Sequence, residues 1–408
     1  MHKIIIVGGG FSGTCLAVNL LRGFSSGSLE IVLVESGTVG RGVAYKKQPY
    51  PRLLNVPAGR MSASSMYPDE FLTFARRSHP HASADDFLPR PLYGEYLESL
   101  LTSAGTAAPA RVNVRRVCAR AVRVEARYGA PTGVWLDDGG FVSGDVVVLA
   151  LGNPAPAEIP ALRSVRSDAR YIADPWHTPV GFRPGENVLI LGSGLTMADI
   201  VLAGMHEANG RATVQAISRR GLMPMAQSAF HPPSAGEDPA VLLCGSDSTR
   251  RMLRAVRTLA NEVQLNGGDW REAVTSVRSV AGEPWGRLSA PERKRFLRHV
   301  LPYWDVHRHR LPQPTVSALE SLHGEGRLFV RAGRVIAAES TSDDIRVHWR
   351  ARGECDARVL SINRIINCTG PDYDIRRSTD PLLRSLQCQG LIAADDLGLG
   401  IRTSRYGA

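Results

Sequence analysis

The chain has 408 residues and a mass of 44.2 kDa, with 43% hydrophobic and 22% charged residues. That is ordinary globular usage, which excludes a mainly disordered chain and suits two or three domains at roughly 150 residues each. No apolar run approaches the ~18 residues of a membrane-spanning helix. The four apolar residues Ile4 to Val7 also fall short of a signal-peptide core of ~7–15, so a soluble cytoplasmic protein is expected.

The net charge is +10, and only four of the 49 basic residues are lysine. Arginine forks onto phosphates and carboxylates better than lysine does. The arginines read as spread along the chain, without a basic helix stripe or zinc-finger spacing. Small anionic ligands therefore explain the charge better than nucleic acid. The cysteines at 15, 118, 244, 355, 368 and 388 include no Cys-x-x-Cys pair, which argues against a zinc ribbon or a redox dithiol. They are expected to be reduced and buried.

Lys3 to Val7 reads as a short β-branched strand running into Gly8-Gly9-Gly10-Phe11-Ser12-Gly13. Thr14 to Arg22 has helical spacing, and Leu29 to Val34 is a second strand closed by Glu35. A similar unit begins 184 residues later. Val188 to Leu191 leads into Gly192-Ser193-Gly194-Leu195-Thr196-Met197, a helix to His206, a strand Thr213 to Ile217, and then Ser218-Arg219-Arg220-Gly221. Tyr171 to Pro184 reads as a linker. Ser248 to Val263 and Pro291 to Val300 read as helices. Two more strands, Asp145 to Gly152 and Ile362 to Gly370, end in glycine followed closely by proline.

The glycines have distinct tasks. Gly8 allows a tight turn, Gly10 lets backbone approach a pyrophosphate, and Gly13 lets the helix pack on the strand. The helix start then offers free N–H groups and partial positive charge to phosphate. Glu35, 22 residues beyond Gly13, can accept hydrogen bonds from ribose hydroxyls. The second unit keeps Gly192 and Gly194 but has Met197 in third place. At the end of its second strand stands Ser218-Arg219-Arg220 instead of an acid. A carboxylate repels a 2′-phosphate, whereas a hydroxyl and guanidinium bind one. The acid-ended turn therefore suits FAD and the arginine-ended turn suits NADPH, with a hydride passing from nicotinamide to flavin. Cys15 has no neighbouring cysteine, so a thiol relay is not expected. Reduced flavin then hands its electrons to oxygen as a C4a-hydroperoxide, which needs a dry site.

Gly40-Arg41-Gly42-Val43-Ala44-Tyr45 and Leu53-Leu54-Asn55-Val56-Pro57-Ala58 resemble the FAD/NAD(P)-binding family that includes bacterial urate hydroxylases and aspartate N-hydroxylases. Phe87-Leu88-Pro89-Arg90 with Tyr93-Gly94-Glu95-Tyr96-Leu97 is also similar, as is Trp304 with His307-Arg308-His309-Arg310. Cys368-Thr369-Gly370 is similar to the Ala-Thr-Gly linker of N-hydroxylating and Baeyer–Villiger monooxygenases. The resemblance covers most of the chain. It implies FAD held by Gly8, Gly10, Phe11, Ser12, Gly13 and Glu35, with the 40–61 loop near the isoalloxazine and Arg41, Ala44, Thr369 and Gly370 as further cofactor residues. It implies NADPH held by Gly192, Ser193, Gly194, Leu195, Thr196, Ser218, Arg219 and Arg220. Such flavoproteins continue past a segment like Gly398-Leu399-Gly400-Ile401 into another strand beside the flavin. Ala408 ends this sequence earlier, and weaker FAD retention is the expectation.

The expected fold is α/β with two Rossmann-like three-layer dinucleotide-binding domains. The FAD domain is placed at 1–170 plus 330–408, and the NAD(P)H domain with a helical insertion at 171–329. The expected activity is FAD-dependent, NADPH-driven monooxygenation, hydroxylating nitrogen or carbon of a small polar, anionic metabolite, with no nucleic-acid or membrane partner. The alternatives are a flavin oxidoreductase that does not activate oxygen, and a nucleotide-binding non-catalytic paralogue. Asn55, Arg90 and His231 are the candidate catalytic or substrate contacts, each with a plain structural role as its alternative. His307 and His309 fit one face of a strand, but no third metal ligand accompanies them.

Overall fold

The computed structural model describes residues 2–50, 52–126, 132–228, 238–243 and 245–404. The chain forms two compact units, Met1–Ala157 with Pro371–Ala408, and Glu158–Gly370.

The first unit runs β1 (His2–Val7), α1 (Phe11–Gly23), β2 (Leu29–Val34), α2 (Glu70–Ala75), α3 (Arg90–Ala107) and β3 (Val112–Val117). The strands β4 (Ala121–Glu125), β5 (Gly133–Leu136) and β6 (Phe141–Ser143) follow, then β7 (Val146–Leu149). The parallel sheet has the order β3-β2-β1-β7, with Val7 opposite Val34 and Leu149. Side chains alternate across a strand, and here both faces are covered. Ile6, Ile31 and Leu33 point to one face, against Val18 and Leu21 of α1 and Leu97 and Leu101 of α3. Ile5, Val32 and Val34 point to the other, against Val124, Val134 and Val142 of the antiparallel β4-β5-β6 sheet. Burial on both faces explains the unbroken apolar runs. Each fully buried Ile or Leu contributes roughly 1.5–3 kcal/mol.

The second unit runs β8 (Tyr171–Ile172), β9 (Asn187–Leu191), α4 (Leu195–Glu207) and β10 (Thr213–Ser218). The insertion comes next: α5 (Pro239–Leu243), α6 (Thr249–Leu265), α7 (Trp270–Val280), α8 (Gly282–Arg287), α9 (Ala290–His299) and α10 (Leu301–Arg308). The unit ends with α11 (Gln313–Gly324), β11 (Leu328–Ser340), β12 (Ile345–Ala351), β13 (Arg358–Ile362) and β14 (Arg364–Asn367). Its sheet has the order β13-β12-β11-β10-β9-β14-β8. The long β11 pairs in parallel with β10 through Ala332, then antiparallel with β12 from Gly333, with a bulge near Val335. The sub-order β11-β10-β9-β14 repeats β3-β2-β1-β7, and the antiparallel extension precedes the last parallel strand in both units.

That repeat moves the boundaries expected from sequence. Residues 330–370 belong to the second unit, because β11 pairs with β10 and β14 lies between β9 and β8. The chain returns to the first unit at Pro371, not at 330. Nor is Tyr171 to Pro184 wholly a linker, since Tyr171–Ile172 is the edge strand β8. His307 sits in the helix α10 and His309 at its C-cap, not along a strand. Among the described residues no group of three His, Cys, Asp or Glu side chains is placed to hold a metal. No described helix is long and apolar enough to cross a membrane.

Candidate functional site

Each unit presents one glycine turn at the carboxyl end of a parallel strand, β1 in the first and β9 in the second, and the two turns are near copies. Gly8 has φ +104° and Gly192 has φ +104°, a region that L side chains rarely adopt. A β-carbon on Gly8 would lie 2.1 Å from the carbonyl oxygen of Ala150, and one on Gly192 would lie 2.3 Å from that of Cys368. The Gly8 N–H donates to Val34 O at 2.9 Å, and the Gly192 N–H to Ile217 O at 2.8 Å. These bonds align Val34 with Ile217, and therefore Glu35 with Ser218. Gly10 and Gly194 are the N-caps of α1 and α4. Neither helix has a side-chain cap or an acid in its first turn, so the early N–H groups of Phe11, Ser12 and Gly13, and of Leu195, Thr196 and Met197, are left for an incoming anion.

In the first turn, Gly13 would place a β-carbon 1.8 Å from Gly8 O, so α1 rides directly on the turn. The Gly9 N–H donates to Glu35 Oε2 and the Gly37 N–H to Glu35 Oε1, both at 2.8 Å. Two amides fix the carboxylate, and each oxygen retains a lone pair for a ribose hydroxyl. Beside Glu35 lies a cavity of about 410 Å³ lined by Thr38, Val39, Arg116, Val117 and Cys118. Glu98 and Thr102 also line it, so polar residues outnumber apolar ones and offer hydrogen-bond partners beside the Glu35 carboxylate. The 40–42 loop closes over the turn: the Gly40 N–H donates to Gly9 O at 2.7 Å, and Gly42 packs against Gly10. Arg41 is 9% exposed and pairs through Nε and Nη2 with Glu98, leaving Nη1 buried without a hydrogen-bond partner. Ala44 is exposed. The turn, the open amides, Glu35 and its cavity fit an FAD.

The second turn is built differently at its charged end. Met197, at the position matching Gly13, is fully buried among Val188, Ile190 and Ile200. Ser193 Oγ is close to both Ser218 Oγ (2.8 Å) and Leu222 O (2.5 Å). A carbonyl has no proton to give, so Ser193 donates to Leu222. Ser218 then donates to Ser193 and accepts from the Gly221 N–H at 3.0 Å. Ser218 is thus occupied in holding the 218–222 bend. Arg220 is occupied too: its guanidinium stacks over Tyr303 at 5.0 Å and donates to the carbonyls of Arg298 (3.1 Å) and His299 (3.4 Å) at the end of α9. Arg219 is exposed and makes no hydrogen bond or ion pair with a described residue. The residues fit an NADP, and Arg219 is the one of the three side chains that no described residue holds.

The remaining candidates are dispersed. Thr369 and Gly370 follow β14 beside the Gly192 turn, in the second unit rather than the first. The Thr369 hydroxyl donates to Asn367 Oδ1 at 2.7 Å, and Gly370 has φ +89°. Ala150-Leu151-Gly152 holds the matching place after β7. Arg90 starts α3, and its Nε donates to Leu53 O at 3.0 Å, tying the 52–54 segment to the helix. Asn55 is half-buried, and its amide makes no hydrogen bond to a described residue. His231 lies outside the described residues. Burial, with Glu70 nearby, pushes the Cys15 thiol up to about 11, so it stays protonated at neutral pH and is a poor nucleophile. Tyr45, Tyr93 and Tyr96 of the motifs quoted above gather with Phe71 of α2 into one ring cluster that the sequence does not announce, with Tyr93 4.9 Å from both Tyr45 and Phe71. Those aromatics come from three separate segments, and only Tyr93 and Tyr96, three apart on α3, are linked by spacing.

Fold and turns together define a protein with two dinucleotide-type α/β units in one chain. Residues 5–154 match the FAD-NAD(P)-binding family model, covering the first glycine turn, Glu35 and β7. No curated protein matches the chain. Among solved structures it is similar to L-lysine 6-monooxygenase from Pseudomonas syringae, at 15% identity and TM-score 0.60, covering 97% of this chain and 86% of that one. It is also similar to the FAD-bound cadaverine monooxygenase of desferrioxamine biosynthesis from Erwinia amylovora, at 14% identity and TM-score 0.59, covering 99% and 84%. A third is the ornithine N-hydroxylase from Kutzneria sp. 744 with reduced FAD, NADP⁺ and L-ornithine, at 16% identity and TM-score 0.57, covering 98% and 86%. The fold is the one these flavin enzymes share.

Proposed function

We propose that the chain is an FAD-dependent, NADPH-driven monooxygenase that N-hydroxylates a small polar amine. The observation that carries this is the change of charge at the matched strand ends: Glu35 follows β2, whereas Ser218 ends β10 and Arg219-Arg220 follow it. A carboxylate favours a dinucleotide with free ribose hydroxyls, and a free guanidinium favours one with a 2′-phosphate. One chain with both preferences suits an electron donor and an acceptor of different identity. The fold of lysine, ornithine and cadaverine hydroxylases supports nitrogen as the site of attack. The reaction balances as amine, oxygen, NADPH and a proton giving hydroxylamine, water and NADP⁺.

Bound FAD supplies hydride acceptance and oxygen activation. This chain's residues bind and orient. Gly8, Gly10 and Gly13 admit the first pyrophosphate to the start of α1, and Glu35 holds the adenosine ribose. Gly192 and Gly194 do the same at α4, and Arg219 reads the 2′-phosphate. Asn55 is the polar group we assign to flavin or substrate. The protonated Cys15 argues against thiol chemistry.

The test is a purified protein supplied with FAD and NADPH and offered lysine, ornithine, cadaverine and aspartate. Hydroxylamine formation coupled to NADPH oxidation is expected with at least one amine. NADPH oxidation yielding only peroxide with every amine, or anaerobic turnover with a quinone alone, would replace the hydroxylase by a flavin oxidoreductase. A protein that binds neither nucleotide would end both readings.

A further inference from the structure

The arginines of this chain are not evenly spread, as the sequence alone suggests. The insertion, residues 239–310, holds thirteen Lys and Arg against seven Asp and Glu, and so six of the ten net positive charges. Within it, Arg250, Arg254 and Arg257 fall at i, i+4 and i+7 of α6, which places them on one face. All three are exposed, and none makes a hydrogen bond or ion pair with a described residue. The face is turned outward, because Leu259 and Val263 on the opposite side are buried against Ala273 and Val277 of α7.

Some arginines elsewhere in the chain pair with carboxylates: Arg22 with Glu70, Arg41 with Glu98, Arg170 with Asp168, Arg271 with Asp269 and Arg364 with Glu186. On α6 only Arg251 does so, with Asp247. No acid stands three or four residues from Arg254 or Arg257. Like charges at this spacing repel, so the row costs helix stability without local compensation. It spans about 10 Å along the axis at 1.5 Å per residue. Continuing the same face through Asn261, the row ends at Leu265, which is 86% exposed.

We propose that this face of α6 docks an acidic amphipathic helix of a partner protein. Three guanidinium forks in line match carboxylates repeated at the same helical spacing, each able to pair through two parallel N–H···O bonds. Leu265 gives the partner's apolar edge a contact at one end. The rest of the face, Thr258, Asn261 and Gln264, is polar and exposed, and one leucine offers too little apolar surface to seat α6 in a bilayer. Three neutralised phosphates are likewise a small share of the six to ten contacts that give firm duplex binding.

The full chain, with and without R250E/R254E/R257E, is titrated by fluorescence anisotropy against a helix-forming peptide carrying glutamates at i, i+4 and i+7 beside leucines. The glutamine version of that peptide, a DNA duplex and phosphatidylserine vesicles serve as competing probes. The expected result is binding of the glutamate peptide that weakens with salt, at least tenfold weaker binding by the variant and by the glutamine peptide, and no loss from K294E/R298E on α9. The variant is expected to melt close to the wild type, since three exposed glutamates at this spacing repel one another as the three arginines did and no buried contact is lost, so a binding loss is not an unfolding artefact. Equal binding of both peptides, equal binding by the variant, or tighter binding to duplex or vesicles overturns the proposal.

Discussion

The sharpest test of the second nucleotide site is Arg219→Ala, read with 2′,5′-ADP and 5′-AMP as probes. These fragments differ only in the 2′-phosphate, so their affinity ratio isolates the group Arg219 is assigned to read. A hydrogen bond to a charged group contributes about 1.5–3 kcal/mol, and a tenfold change in affinity is about 1.4 kcal/mol. R219A is therefore expected to weaken 2′,5′-ADP by roughly 10- to 150-fold, toward the lower end because the site is exposed and screened, and to leave 5′-AMP nearly unchanged. Arg220→Ala should behave oppositely. Its guanidinium already holds the α9 carbonyls and Tyr303, so its loss should lower the melting temperature and keep the affinity ratio. Ser218→Ala removes the bond to Ser193 and should likewise spare the ratio. Isothermal titration at two ionic strengths decides the matter, and the R219A effect should shrink at the higher one. If R220A or S218A abolishes discrimination while R219A keeps it, the proton and hydrogen-bond assignment at this turn is wrong. A wild-type protein that does not distinguish the two fragments would instead remove the NADP preference itself.

Other outcomes follow from the same geometry. Gly8→Ala and Gly192→Ala each force a β-carbon within about 2 Å of a carbonyl oxygen at positive φ, so each should destabilise by several kcal/mol in urea unfolding. Gly194→Ala meets nothing within 4 Å and should melt close to wild type; a large loss there would contradict the open start of α4. Hydrogen bonds from Arg170 hold the Asp168 carboxyl well below its usual range. A depressed acid stabilises the fold above its unfolded pKa, and that contribution is lost as pH falls through the folded value. D168N should therefore be destabilising at pH 7, and the difference from wild type should begin to narrow below about pH 4 and close only as pH falls through the depressed folded value; a constant gap across a urea series in pH would refute this. With its thiol raised to about 11, Cys15 should be alkylated by iodoacetamide at pH 8 more slowly than the exposed Cys118, Cys355 and Cys388. Peptide mass spectrometry gives the order.

Both strand–turn–helix–strand units were legible from the residues because each is local. Gly8 and Gly192 need positive φ, the apolar runs need burial on two faces, and Glu35 and Ser218-Arg219-Arg220 stand a fixed number of residues downstream. The charge exchange between the two turns is also visible there, since it depends only on counting along the chain. The tertiary structure decided what depends on distant partners. Cys368-Thr369-Gly370 looks like a return to the first unit until β14 is seen between β9 and β8, with the Cys368 carbonyl against Gly192. Ser218, Arg219 and Arg220 are chemically equivalent candidates until Ser193, Leu222, Tyr303 and the end of α9 claim two of them. The row on α6 likewise becomes a surface only when Leu259 and Val263 bury the other side. Glycine backbone geometry and apolar periodicity act within one turn or strand, whereas hydrogen-bond capacity is settled by whichever groups the fold brings alongside.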